Sequence, residues 1–421
     1  MKLVVVGAGY VGLSAAACLA ELGHDVDCLE NDVRRLTLLK GEEIPFFEPG
    51  LEKLVELNVG AGRLRFDSDA ALLRTASAVI VCLPTPMSES GEADLTVLFQ
   101  FFQENRDRFD HESTVFIKST VPVGTCDQID NILQRSDVHV VSNPEFVREG
   151  SAVTDFLNPD RLIFGYESET SRLIFEEIYC SVKCPVVLTT RRSAELIKYA
   201  SNMFLATKVS FANSLTEFCE RSGADIRDVM VGVGLDHRIG SKYLNPGPGW
   251  GGSCLPKDTQ ALLSMFRQWD VDPQFPSAVI DQNHDHQQRL VERIAALMDG
   301  STEVVHMLGI TFKAGTDDTR DSPALLIAHA LQRRGLTVQA YDPMVYESPS
   351  VVPSLKILKS ILDGIEEAAI ILVLTDWPEF RELDPIEVAK KTQCRVIFDT
   401  RNCLDGNTWQ SADFVYHGIG C

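Results

Sequence analysis

The first thirty residues constrain this chain more than any other stretch. Lys2-Leu-Val-Val-Val6 is a short apolar run, rich in β-branched residues and bounded by glycine. It reads as a strand buried on both faces of a parallel sheet. Gly7-Ala-Gly-Tyr-Val-Gly12 follows at once, residues 10–22 show helical spacing, and Gly23 sits where that helix should stop. Residues 25–30 predict a second strand ending in Glu30, and Asp32 is placed to cap the next helix. A strand, G-x-G-x-x-G and a helix in that order make a dinucleotide turn. Gly7 permits the tight bend, Gly9 lets backbone approach a pyrophosphate, and Gly12 lets helix and sheet pack closely. The helix N-terminus offers free N–H groups to the phosphates. An acid about 20 residues on accepts from a ribose 2′-OH and would repel a 2′-phosphate. NAD is therefore expected rather than NADP, opposed locally by Arg34 and Arg35.

Further strands are expected at 78–82, 114–118, 138–142 and 161–164, with helices between them. Such alternation indicates a doubly wound α/β sheet. After about residue 190 the pattern changes. Residues 193–223 contain no proline or glycine before Gly223 and read as one long helix, with more helix through about 230 and again at 257–268 and 277–298. Alternation returns at 303–310 and 337–342 around a helix at 322–335, and continues at 369–375 and 395–399. The expected organisation is three domains: 1–190 Rossmann-like α/β, 191–298 all-helical with a long helix, and 299–421 a second Rossmann-like α/β domain. That suits 421 residues at about 150 residues per domain.

Composition removes several functions. The 39 Lys plus Arg against 60 Asp plus Glu give a net charge of −21. That opposes nonspecific binding to nucleic acid or anionic membranes, which needs clustered cations. It does not oppose a small anion held by local positive groups. The N-terminal apolar run is interrupted by three glycines and does not read as a secretory signal, and no window is apolar enough to span a bilayer. Eleven scattered cysteines form no framework, and Cys180-x3-Cys184 stands alone, so reduced thiols in a cytoplasmic protein are expected. His284-Asp-His286 resembles a metal cluster, but residues two apart on a helix do not share a face, so no metal is expected.

A second motif carries chemistry. Pro246-Gly-Pro-Gly-Trp-Gly-Gly-Ser-Cys254-Leu-Pro-Lys-Asp258 is a glycine loop with a cysteine at the mouth of a helix. The helix N-terminus and Lys257 would each favour a thiolate. Asp258, one turn on, would complete a nucleophile-and-base arrangement, and the glycine density is hard to explain by packing alone. Lys198 and Asn202 are spaced i,i+4 on the long helix, a cation and an amide suited to an oxyanion. Glu145 and Glu149 are expected one turn apart, with Arg148 a possible surface partner. Lys118-Ser-Thr120 ends a strand, where a doubly wound sheet lines its ligand crevice.

Taken together, the motifs resemble the nucleotide-sugar dehydrogenases of the UDP-glucose/GDP-mannose type. The markers run in order along the whole chain: GAGYVGL (7–13), EPGLE (48–52), STVPVGT (119–125), SNPEFVREGSA (142–152), ELIKYASN (195–202), PGPGWGGSCLPKD (246–258) and FKAGTDDTRDSP (312–323). The resemblance implies an NAD-dependent four-electron oxidation of a sugar C6 alcohol to a carboxylate. Its intermediates would be a thiohemiacetal and a thioester on Cys254. It also implies a homodimer made by the central domain, and a C-terminal domain that holds the sugar nucleotide. Carried over by residue, Lys198 and Asn202 would stabilise oxyanions. Asp258 would act as base and hold the catalytic water with Thr120, and Glu145 would assist hydrolysis. Glu149, Tyr243, Gly251, Lys313 and Arg401 would contact the substrate, with Arg238 reaching in from the neighbouring subunit. Gly7, Gly9, Tyr10, Val11, Gly12, Glu30, Arg35, Pro84, Thr85, Thr120, Glu149, Lys257 and Arg320 would contact the cofactor.

DHRIG (236–240) and the glycine loop resemble the UDP-glucose branch. Leu255 is the residue common in GDP-mannose enzymes, so GDP-mannose or another UDP-hexose remains the alternative substrate. A two-electron hydroxyacid dehydrogenase would have no need of Cys254. An inactive NAD- or sugar-nucleotide-binding regulator would have no need of the intact thiol, lysine, asparagine and carboxylate set.

Overall fold

The computed structural model describes residues 1–298 and 304–421. The start of the strand expected from 303, and the domain boundary expected at 299, lie outside the described residues. Internal contacts divide the chain into two compact units, Met1–Ser201 and Asn202–Cys421.

The first unit is built on eight strands: β1 (Lys2–Val6), β2 (Asp25–Leu29), β3 (Leu64–Asp67), β4 (Ala78–Val81), β5 (Ser113–Ile117), β6 (Val138–Ser142), β7 (Leu162–Gly165) and β8 (Val186–Thr189). They pair in the order β3-β2-β1-β4-β5-β6-β7-β8. The expected parallel sheet is corrected at one place, since β6 and β7 meet antiparallel through Ser142 and Gly165. Alternate residues of β1 feed two cores. Leu3 and Val5 pack with the helix Tyr10–Glu21, and Val4 and Val6 pack with Leu98, Phe102 and Ile129 on the other face. Burial on both faces is why β1 is an unbroken apolar run.

The described residues of the second unit hold six strands: β9 (Val304–Leu308), β10 (Thr337–Tyr341), β11 (Lys356–Ile357), β12 (Ile370–Val373), β13 (Val396–Asp399) and β14 (Val415–Gly418), in the order β11-β10-β9-β12-β13-β14. The first six strands of the first sheet have the same arrangement. The hydrogen-bond frame recurs as well. Gly7 N donates to Leu29 O and Gly309 N to Tyr341 O, each at 2.8 Å. Ala8 N donates to Glu30 Oε2 at 3.0 Å, and Ile310 N to Asp342 Oδ2 at 2.8 Å. The two acids directly follow β2 and β10, the second strand of each sheet in chain order. The C-terminal sheet carries no glycine fingerprint, so its sequence does not announce this frame.

The remaining helices of the second unit contain no strand among the described residues of 202–303. The single helix expected over 193–223 is corrected to two, Arg191–Ser214 and Thr216–Ser222. At the break, Ser214 Oγ donates to Phe211 O and Thr216 Oγ1 to Asn213 O. Hydroxyls that bond the preceding turn compete with the helix ladder there. Ile226–Gly234, Leu255–Gln268 and Gln274–Leu297 follow. No helix among the described residues is long and apolar enough to cross a membrane.

Candidate active site

In the first unit Gly7, Gly9, Glu30, Pro84, Thr85, Thr120, Glu145 and Glu149 sit on loops after strands, and Tyr10, Val11, Gly12, Arg35 and Lys198 sit on helices. Gly7 has φ +91°, a left-handed conformation that favours glycine, and a Cβ at Gly12 would lie 1.8 Å from Gly7 O. A Cβ at Gly9 would meet nothing within 4 Å, so backbone at that helix N-cap is open to a ligand. These residues fit the pyrophosphate of a dinucleotide. Glu30 is buried, accepting from Ala8 N and Asp32 N (2.8 Å), and pairs with Arg35 Nη1 at 2.9 Å. Arg35 thus pairs with the acid expected to read the ribose, and Asp32 caps the helix Val33–Lys40 as expected. Val11 is partly buried in the first turn of the Tyr10–Glu21 helix, and Pro84 is exposed just after β4. Thr85 Oγ1 donates to Thr120 O at 2.8 Å, tying the loops after β4 and β5 together.

Glu145 and Lys198 form a buried pair. Lys198 Nζ lies 3.0 Å from Glu145 Oε1 and 2.8 Å from Glu145 O, with side-chain exposures of 5% and 7%. Val147 N donates to Glu145 Oε2 at 2.7 Å. Phe146 lies beneath two cations, Lys198 Nζ at 5.2 Å and the Arg161 guanidinium at 3.7 Å from the ring centroid. The helical turn expected to join Glu145 and Glu149 is corrected. Residues 143–148 are irregular, and Arg148 pairs with Asp155 at 2.6 Å. Lys118 is corrected too. It is buried, donating to Asn143 Oδ1 at 3.0 Å and Tyr179 OH at 3.3 Å, instead of lining the crevice.

Two buried acids escaped the sequence reading. Glu48 accepts from Gly150 N and Ala152 N, each at 2.7 Å, and hydrogen-bonds Tyr10 OH. Burial, then Glu48, pushes the Tyr10 phenol well above its usual range. Glu195 accepts from Gly124 N at 2.6 Å and Cys126 N at 2.8 Å, anchoring the loop that carries Thr120, and burial raises its carboxyl. Both acids lie inside marker segments. The only signal in the sequence was an acid available to loops full of orphan N–H groups.

In the second unit, Cys254 is exposed and stands as N-cap of the helix Leu255–Gln268. Asp258 is buried one turn further, and its N–H donates to Cys254 O at 2.9 Å. Asn202 Nδ2 donates to Asp258 Oδ2 at 2.6 Å, and Lys257 Nζ lies 2.5 Å from Asp258 Oδ1. Lys257 was expected to act on the thiol; its charge is paired with Asp258. The glycine density also finds a packing reason. A Cβ at Gly247 would press Arg401 Nη1, at Gly249 Gln287 and Asn283, at Gly251 Asp321 O (2.0 Å), and at Gly252 the Phe312 ring.

Arg401 is held by Leu374 O (2.9 Å) and Phe312 O (3.2 Å), and burial lowers its pKa. Lys313 Nζ lies 5.6 Å from the Phe312 centroid. Tyr243 is exposed with φ +63°, a strained value for a bulky residue. Arg238 and Arg320 are exposed and fork onto Asp236 and Asp318 at 2.6 and 2.7 Å. His284 is exposed, whereas His286 is buried with Nε2 2.8 Å from Gly247 O.

Comparison with known proteins covers the chain. Residues 1–183 match the NAD binding domain of the UDP-glucose/GDP-mannose dehydrogenase family, 192–285 its central domain and 306–406 its UDP binding domain. The UDP-glucose 6-dehydrogenase of Rhizobium meliloti (strain 1021) is 39% identical over 434 residues, covering 100% of this chain and 99% of its own. UDP-glucose 6-dehydrogenase TuaD of Bacillus subtilis (strain 168) is 40% identical over 429 residues, covering 100% and 93%. A solved UDP-glucose dehydrogenase from Pyrobaculum islandicum superposes with TM-score 0.90 at 31% identity, over 100% of this chain and 97% of that one.

Proposed function

The chain belongs to the UDP-glucose/GDP-mannose dehydrogenase family, and from that premise we propose that it oxidises C6 of UDP-glucose to the carboxylate, yielding UDP-glucuronate. One observation carries the reading: an exposed cysteine stands at the N-cap position of a helix whose next turn holds a buried carboxylate fixed by an amide. A two-electron dehydrogenase has no use for that thiol.

The Gly7–Gly12 turn and Glu30 would hold NAD, which would supply the hydride acceptor for C6, two equivalents per sugar. Between the two oxidations Cys254 Sγ adds to the aldehyde carbon. The S–C bond forms, the carbonyl electron pair moves onto oxygen, and the thiol proton goes to base. Lys198 and Asn202 donate to that oxyanion. After the second oxidation the carbon is a thioester. Asp258 and Thr120 hold the water that attacks it, with Glu145 assisting. The S–C bond then breaks and the proton returns to sulfur. Retaining the aldehyde on the thiol keeps a reactive intermediate from escaping. Lys313, Arg401, Tyr243, Gly251 and Glu149 bind the sugar nucleotide.

The three-domain division at 190 and 298 accompanies this reading, with the central helices making a homodimer. In its support, Phe204, Phe211 and Phe218 recur every seven residues and are 64%, 48% and 68% exposed. Arg238, with its side chain 77% exposed, would complete the partner's site. Eleven cysteines that form no disulfide among the described residues suit the cytoplasm.

The test counts NADH per sugar with UDP-glucose, GDP-mannose, UDP-galactose and UDP-N-acetylhexosamines. Two NADH per UDP-glucose are expected. A yield near one, or preference for GDP-mannose, overturns the assignment.

A further inference from the structure

The loop Pro246–Ser253 belongs to no strand or helix, yet its backbone is held at several points by side chains. Gly247 N donates to Asn213 Oδ1 at 2.9 Å, and Gly247 O faces His286 Nε2 at 2.8 Å. Trp250 N donates to Asn283 Oδ1 at 2.9 Å, Asn283 Nδ2 returns to Trp250 O at 3.1 Å, and Trp250 Nε1 donates to Ser210 Oγ at 2.9 Å. Asn283, His286 and Gln287 share one face of the helix Gln274–Leu297 at i, i+3 and i+4. Gly249 lies so close to that face that a Cβ would come within 2.7 Å of Gln287 Nε2. Further along the same helix, Leu290, Val291 and Ile294 pack into one core with Val305 and Met307 of β9. One rigid helix therefore carries both the glycine loop and a wall of the C-terminal sheet.

A carbonyl oxygen only accepts, so the proton on His286 sits on Nε2 and the ring is a fixed donor. Burial keeps it neutral by lowering its pKa to about 4. Cys254 lies four residues past Trp250, at the end of the clamped segment.

We propose that His286 is a positioning residue: through its hydrogen bond to Gly247 O it holds the glycine loop, and with it the thiol of Cys254, in the reactive place. This rests on the role assigned to Cys254 above. Small displacements of a nucleophile are costly, on the order of a hundredfold per ångström.

The test uses the full chain with His286→Leu, His286→Gln and His286→Asn. Gln can present an N–H to Gly247 O, Leu has none, and Asn is too short to reach. Two rates are read: kcat for NADH formation from UDP-glucose, and alkylation of Cys254 by iodoacetamide, followed by mass spectrometry without substrate. The Leu and Asn variants should bind NAD normally, lose about 10- to 100-fold in kcat and alkylate Cys254 at an altered rate. Gln should restore both to near the parent values. A Leu variant within twofold of the parent, or a Gln variant no better than Asn, overturns the proposal. If Leu does not fold, the Gln–Asn contrast decides. If the Cys254 assignment itself is wrong, Cys254→Ser keeps its activity, which separates that failure from this one.

Discussion

Removing the ammonium of Lys198 should cost stability as well as activity, and the two losses can be separated. Lys198→Met takes the cation from Glu145 and leaves it the hydrogen bond from Val147 N, in a place where its side chain is 7% exposed. It also removes the donor to Glu145 O. Orphaning one member of a buried ion pair costs about 3–5 kcal/mol. With a urea slope of about 3 kcal/mol per molar, the unfolding midpoint should fall by roughly 1–1.7 M. The double variant Lys198→Met/Glu145→Gln removes the stranded charge and should recover most of that shift. Its turnover should remain at least about a hundredfold down, because the ammonium proposed to stabilise the oxyanion is still missing. Urea melts followed by tryptophan fluorescence, run beside NADH assays, read both quantities. A single variant that loses under about 1 kcal/mol, or a double variant no more stable than the single, would refute the buried-pair reasoning.

Cys254→Ser should abolish uronate formation while NAD titration stays unchanged; equal turnover would remove the thiol from the chemistry. Gly12→Ala must displace backbone, since its Cβ falls 1.8 Å from Gly7 O. A cost of about 3 kcal/mol and loss of NAD binding by calorimetry are expected, and normal binding would contradict the turn's geometry. Burial lowers His286 and His306 to about 4. The unfolded chain therefore takes up protons below about 6.5 that the folded chain refuses, and stability present at neutral pH is lost between about 6.5 and about 4. At about 1.4 kcal/mol per pH unit, that is on the order of 3 kcal/mol for each ring. His306→Gln should flatten the profile of melting midpoint against pH, and an unchanged slope would count against this account. On the proposed homodimer the parent should sediment as two chains and Phe204→Ser/Phe211→Ser as one; a persistent dimer would place the interface elsewhere.

Ten of the fourteen strands among the described residues were legible in the sequence, and the four that were not are β3, β8, β11 and β14, the edges of the two sheets. Interior strands are buried on both faces and announce themselves as apolar runs, as Leu3–Val6 and Ile370–Val373 do. An edge strand such as Leu64–Asp67 alternates Leu64 and Phe66 inside with Arg65 outside, and Lys356–Ile357 is too short for a pattern. The chemistry-bearing motifs were legible for a different reason: glycine turns and a thiol at a helix start are local. Pairings across the fold were not. Lys257 could have served the thiol, and only the structure shows it against Asp258. Glu48 and Glu195 satisfy N–H groups 69 to 104 residues away in sequence, beyond the reach of any local pattern.

The edge strand β8 carries one more consequence. Val186, Val187 and Leu188 are 45%, 42% and 46% exposed at the rim of the first sheet. An apolar rim of this kind invites strand-to-strand growth into aggregates. The net charge of −21 opposes that growth, because like-charged chains repel before their rims can meet. Colloidal behaviour is thus tied to electrostatics. Salt that shortens the screening length to about 8 Å or less, or a pH near the isoelectric point of about 4.8, removes the repulsion and leaves β8 as the place where clumping starts.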